Sequence, residues 1–138
     1  MQSLGSLGNK LKTAGELMLT KNKIPFIHQD QVMKKAIKIL NLKKLGFLVV
    51  INSNGLTTGV FTDGDLKRLM RKKRRIDNLK IKDYMSKKPL CIDENTLASD
   101  ALNQMNKNKI TNICVYNKKH KQKTIGVLHI HNLLSNLN

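Results

Sequence analysis

Two stretches of this chain share one pattern. "GVFTDGDLKRLM" (Gly59–Met70) and "GVLHIHNLLSNL" (Gly126–Leu137) lie 67 residues apart, and at that offset Met18 of "AGELM" falls on Met85 of "IKDYM". Between these anchors an offset of 65 residues superposes Ile27 on Ile92, Val32 on Leu97, Ala36 on Ala101, Leu40 on Met105, Leu45 on Ile110 and Val50 on Val115. A longer turn in the second copy, "NKKHKQK" against "NSNGLT", accounts for the two-residue change. Self-similarity at a fixed period means one supersecondary unit built twice. With 138 residues, 40% of them hydrophobic, the chain cannot bury two independent cores, so the copies are expected to lean on each other about a pseudo-twofold axis.

Each copy reads as strand-helix-strand-strand-helix, an α/β (α+β) unit. A short helical turn ("AGELM", "IKDYM") precedes an extended piece ("PFIH", "PLCI") that a proline bars from helix interior. An amphipathic helix follows, with Val32, Ala36, Ile39 and Leu40, or Leu97, Ala101, Leu102 and Met105, three or four apart on one face. Thr96 is the expected N-cap of the second of these helices. Next come two strands, "FLVVI" and "TTGVFT" joined through Asn54-Gly55, or "NICVY" and "TIGVLH" joined through a lysine-rich loop. A last helix, "GDLKRLMRKK" or "HNLLSNL", closes each copy. The expected division is a linker or tail over 1–12, the repeats over 13–73 and 81–138, and a linker over 74–80.

The bulk features bound the function classes. With 26 Lys and Arg against 9 Asp and Glu the net charge is +17, which draws polyanions. Only "RKKRR" (Arg71–Arg75) is dense, however, and three Phe and two Tyr are too few for a base-stacking platform. Nucleic acid is therefore the alternative partner, not the first. No apolar run is long enough to span a membrane and no secretion signal is visible, so cytoplasm is the expected compartment. Cys91 and Cys114 read as two buried thiols rather than a disulfide or metal pair. No nucleophile, base and orienting group can be placed on one site, so the chain is not expected to be an enzyme.

The duplication and the wording "GVFTDGDL" resemble a tandem cystathionine-beta-synthase (CBS) domain pair, the Bateman module. "GVFTDGDLKR" with "GVLHIHNLL" resembles more narrowly the C-terminal regulatory half of the D-arabinose 5-phosphate isomerase family, in which a sugar-isomerase (SIS) catalytic domain precedes the pair. That resemblance implies a regulatory module with no required cofactor. Its implied effector is CMP-Kdo, the activated sugar of lipopolysaccharide biosynthesis, or another nucleotide, with adenine nucleotides the general CBS alternative. It also implies an attached isomerase domain and self-association as a homodimer or tetramer. An assembly module with no ligand is a further alternative.

Chemically, Thr62 ends a strand and Asp63-Gly64-Asp65 begins a helix, so helix N–H groups and a hydroxyl converge as a phosphate seat. Asp65 could accept two hydrogen bonds from a ribose diol, whereas the competing reading is that Thr62 or Asp63 simply caps the helix. In the second copy His129 replaces Thr62, His131 replaces Gly64 and Asn132 replaces Asp65. Histidine keeps a hydrogen-bonding role and gains charge near pH 6.5. Asn132, where the family usually has aspartate, lacks the anionic acceptor. Ile27 and Ile92 are candidate apolar walls that equally fit plain core, and Thr111 is a candidate hydroxyl. His129 and His131 do not make up a zinc ligand set, so no metal site is expected. His28 and His120 read as surface histidines without partners.

Overall fold

Four of the apolar pairs expected from the repeat, Ile27/Ile92, Ala36/Ala101, Leu40/Met105 and Val50/Val115, are buried, and each compact unit takes a piece of the other repeat. The computed structural model describes residues 11–137, so most of the expected 1–12 tail lies outside the described residues. Unit A is Asn22–Pro89; unit B joins the segment ending at Lys21 to the chain from Leu90 onward.

Unit A contains β1 (Phe26–His28), α2 (Met33–Lys43), β2 (Phe47–Ile51), β3 (Thr57–Thr62), α3 (Asp63–Lys72) and β4 (Ser86–Lys87), the label α1 being kept for the helix of Ala14–Leu17 in unit B. β1 and β2 are parallel across the α2 crossover, while β2 pairs antiparallel with β3, Phe47 facing Thr62 and Val50 facing Gly59. The Asn54-Gly55 hairpin forms as expected, with Gly55 at φ +77° and its N–H donated to Asn52 O. The two-residue β4, which sequence pattern did not suggest, adds to β3 through Gly59 and Val60. Ile27, Met33, Ala36, Leu40, Leu48, Val50 and Phe61 form the core, completed by Ile76 and Ile81 from beyond α3.

Unit B repeats this with β5 (Cys91–Asp93), α4 (Ala98–Asn108), β6 (Asn112–Tyr116), β7 (Gly126–His129) and α5 (Ile130–Leu137). Its core matches position by position: Ile92, Ala98, Ala101, Met105, Ile113, Val115 and Leu128, completed by Ala14 from α1. Burying an isoleucine side chain contributes about 1.5–3 kcal/mol, which applies to Ile76 and Ile81 in unit A, whereas the methyl of Ala14 contributes less and its segment rests more on hydrogen bonds.

Those hydrogen bonds correct the expected helix starts. α2 and α4 begin one residue later than the apolar pattern suggests, with Val32 and Leu97 in the cap positions and neither making a side-chain cap. Met33 and Ala98 take the buried places, and Leu97 is 37% exposed. Thr96 is not the N-cap. Instead the first N–H of α2 is donated to Leu79 O and that of α4 to Lys12 O, both at 2.7–2.8 Å. The borrowed backbone thus satisfies donors that a side chain would otherwise serve.

The two glycines of the repeated motif are placed by close approach. A Cβ on Gly59 would stand 2.7 Å from Ser86 O and 2.8 Å from Met85 Sδ, and one on Gly126 would overlap the side chain of Met18. Each glycine accommodates the methionine that opens the other repeat. No described helix is long and apolar enough to cross a membrane.

Candidate functional site

The end of β3 and the start of α3 form the first candidate site. Thr62 Oγ1 accepts the N–H of Asp65 at 3.0 Å, and Asp65 Oδ2 accepts the N–H of Thr62 at 3.0 Å, a reciprocal capping box. Asp65 is engaged further: Oδ2 accepts from Ser86 Oγ at 3.3 Å and Oδ1 from the Arg68 guanidinium at 2.5 Å. Its side chain is only 14% exposed and three of its roughly four acceptor sites are taken, so Arg68 and Ser86 crowd the approach of any ligand hydroxyl to this carboxylate. Asp63 is exposed, and its N–H is donated to Gly46 O. Two carboxylates in the first turn oppose a phosphate there, and Arg68 offsets one of them. Arg68 also lies over Gly64, 3.5 Å from where a Cβ would stand.

The equivalent place in unit B is built from histidines. His129 Nδ1 accepts the N–H of His131 at 3.1 Å, taking over the N-cap position of Thr62 and leaving the neutral ring's proton on Nε2. The two imidazoles stack, centroids 4.8 Å apart and planes 29° apart. Burial, and then the His131 charge, hold His129 below the ordinary histidine range, so its charging lies below the pH 6.5 that sequence alone suggested. Asn132 offers its backbone carbonyl to Ser135 and Asn136, and Thr111 O accepts the N–H of Ile130, the counterpart of the Gly46–Asp63 bond. Thr111, His129, His131 and Asn132 therefore gather at one helix start, with Thr111 Oγ1 exposed and accepting from Asn112.

Ile27 and Ile92 stand elsewhere. Each is 3% exposed within a helix-facing core, so in this structure they pack the interior of their units. His28, expected to have no partner, has three contacts: Ser53 Oγ at 3.1 Å, the Asp30 N–H and the Asp30 carboxylate. His120 is exposed in the β6–β7 loop, as expected. Among the described residues no three metal-ligating side chains cluster.

Sequence reading missed two features. Ser86 reaches Asp65 from 21 residues away, through the unforeseen β4. Asp93, at the end of β5, has Oδ1 engaged by Asn95 N–H, while Oδ2 is buried with no hydrogen-bond partner among the described residues. A buried acceptor without a donor is costly unless something supplies one.

Comparison with known proteins fits this geometry. The family model described as CBS domain matches residues 14–72 and 81–138. The arabinose 5-phosphate isomerase KdsD of Yersinia pestis is 34% identical over 131 residues, 94% of this chain but 39% of that protein. The chain thus spans about two fifths of the length of the curated relatives it matches. Among solved structures, CBSX2 in complex with AMP has a TM-score of 0.74 at 24% identity, covering 90% of this chain and 94% of that one. The CBS pair of MJ0100, solved with 5′-methylthioadenosine and S-adenosylmethionine, has a TM-score of 0.79 at 14% identity, covering 91% and 94%.

Proposed function

Since the chain belongs to the CBS domain family and carries two such domains, which are non-catalytic, we propose that it is a regulatory module that binds a nucleotide or nucleotide-sugar and biases an attached isomerase domain. The observation that supports the ligand class is the likeness to CBS pairs solved with AMP and with S-adenosylmethionine. The relatives' name supports the enzyme, an arabinose 5-phosphate isomerase, and the length of those relatives that this chain does not match leaves room for a catalytic domain. A CMP-Kdo-like effector fits that setting as an end product of the same route. Regulation requires that the ligand bind two packing states unequally.

In this reading the candidate ligand residues are Thr62, Asp63 and Asp65 in unit A and Thr111, His129, His131 and Asn132 in unit B; Asp93 stands at the other end of the unit B sheet, level with Tyr116 rather than with Asn112 and His129. The arrangement favours unequal sites. Unit A offers carboxylates guarded by Arg68, and unit B offers an imidazole donor beside a hydroxyl. A thermal-shift panel of AMP, ATP, CMP and CMP-Kdo tests this. A ligand at one hundred times its Kd adds about 2.7 kcal/mol to stability, which such a panel resolves. The reading predicts a shift with at least one nucleotide and its reduction in Asp65→Asn or His129→Asn, each measured against the variant's own baseline. No shift with any of the four contradicts it.

One observation favours a second reading. Arg71–Arg75 are all exposed, and Arg74 and Arg75 line a cavity of about 480 Å³ with Asp77 and Asn78. A polyanion-binding role predicts retention of DNA or RNA at about 0.15 M salt and a steep loss on raising it. Retention without any nucleotide shift would favour this reading over the first, and a stable oligomer silent in both assays would favour an assembly role alone.

A further inference from the structure

Unit B holds two thiols that the ligand reading does not use. Cys91 on β5 and Cys114 on β6 are direct partners in the parallel ladder. Neighbouring strands lie about 4.8 Å apart, inside the range of about 4.4–6.8 Å between Cα atoms that a disulfide accepts. The strand period of two places both on the sheet face opposite Ile92, Ile113 and Val115, which belong to the helix-covered core. Neither cysteine is in a disulfide.

The two sulfurs differ. Cys114 is 1% exposed, whereas Cys91 is half-buried, which corrects the expectation of two buried thiols. The hydrogen bond from Cys114 holds the Cys91 thiol below its ordinary range, outweighing burial. The same bond, and then burial, push Cys114 well above it. The accessible member is thus the better thiolate and the buried member the reserve, as in an attacking and resolving pair.

We propose that Cys91 and Cys114 form a peroxide-oxidisable pair that closes to an intramolecular disulfide between β5 and β6. The Cys91 thiolate attacks one peroxide oxygen, the O–O bond breaks, and the departing hydroxide takes a proton to leave as water, with Cys91 now a sulfenic acid. Cys114 then loses its proton and attacks the Cys91 sulfur; the S–S bond forms and hydroxide leaves, collecting that proton as a second water. Two thiols are oxidised and one hydrogen peroxide is reduced to two waters.

The test is to treat the full chain with hydrogen peroxide, denature it, alkylate it and map the peptides. Loss of both alkylation sites together with a linked Cys91–Cys114 peptide is expected. In Cys114→Ser, dimedone should trap a sulfenic acid at Cys91, whereas in Cys91→Ser the native chain should leave Cys114 unmodified. The proposal is overturned if wild type keeps both sites alkylatable, links only between molecules, or over-oxidises Cys91 while Cys114 remains a thiol. The wild-type peptide map decides the matter even where a variant folds poorly.

Discussion

In the proposed function Asp65 would carry two duties that compete. Its carboxylate closes the α3 capping box and holds Arg68 and Ser86, so any ligand hydroxyl it accepts must compete with those partners for access. Asp65→Ala is therefore expected to lower stability by about 0.5–2 kcal/mol in chemical denaturation even without ligand, the ordinary size of a lost N-cap interaction. Arg68→Ala should keep the box and uncover the carboxylate; an increase in the nucleotide-induced thermal shift would show that Arg68 screens it. His129 makes a pH prediction. Its folded-state pKa is lowered, so the unfolded chain binds the extra proton first, and stability is complete above about pH 6.5 and lost as pH falls through the lower folded value. Melting temperature should decline over that window, with the His129 part of the decline absent in His129→Asn. Because burial is the first cause and His131 the second, His131→Asn should keep most of it. The residue types were legible in the sequence, but their engagement was not. Arg68 stands one helical turn from Asp65 and could have been foreseen as a partner. Ser86 could not, because a two-residue strand leaves no periodic trace.

Strands and helices were readable because their apolar spacing is strong and occurs twice, each copy checking the other. Helix starts were not, since the caps of α2 and α4 are backbone carbonyls of Leu79 and Lys12 rather than the side chain of Thr96. Two predictions belong to this scale. Lys44 and Lys109, at equivalent C-caps, adopt the left-handed conformation at φ 58° and 56°. Lys109→Gly removes that strain and should raise unfolding stability by about 1 kcal/mol in urea titration. Gly126→Ala, which drives a methyl into Met18, should cost about 1–3 kcal/mol. Adding Met18→Ala should recover part of that loss, so that a double-mutant cycle shows a coupling of about 0.5 kcal/mol or more.

Over the whole molecule, each repeat lends its opening segment to the unit built on the other. The sequence showed two copies and could not show this exchange, because Met18 and Met85 align with each other while packing on Gly126 and Gly59 of the opposite copies. The 74–80 stretch, expected as a plain linker, supplies Ile76 to the core of unit A and accepts two N–H donors of α2. A Pro or Gly insertion there should loosen α2 first, read as faster amide exchange at Met33 and Lys34. The copies differ at all four positions of the helix starts, Thr62-Asp63-Gly64-Asp65 against His129-Ile130-His131-Asn132, the places proposed for the ligand. The most direct measurement is calorimetric titration of the chain with AMP, ATP, CMP and CMP-Kdo, repeated with Asp65→Asn and His129→Asn. Saturable binding of at least one nucleotide, weakened by at least one of these substitutions, is the predicted result; absence of binding by all four, or binding that neither substitution changes, would contradict the account.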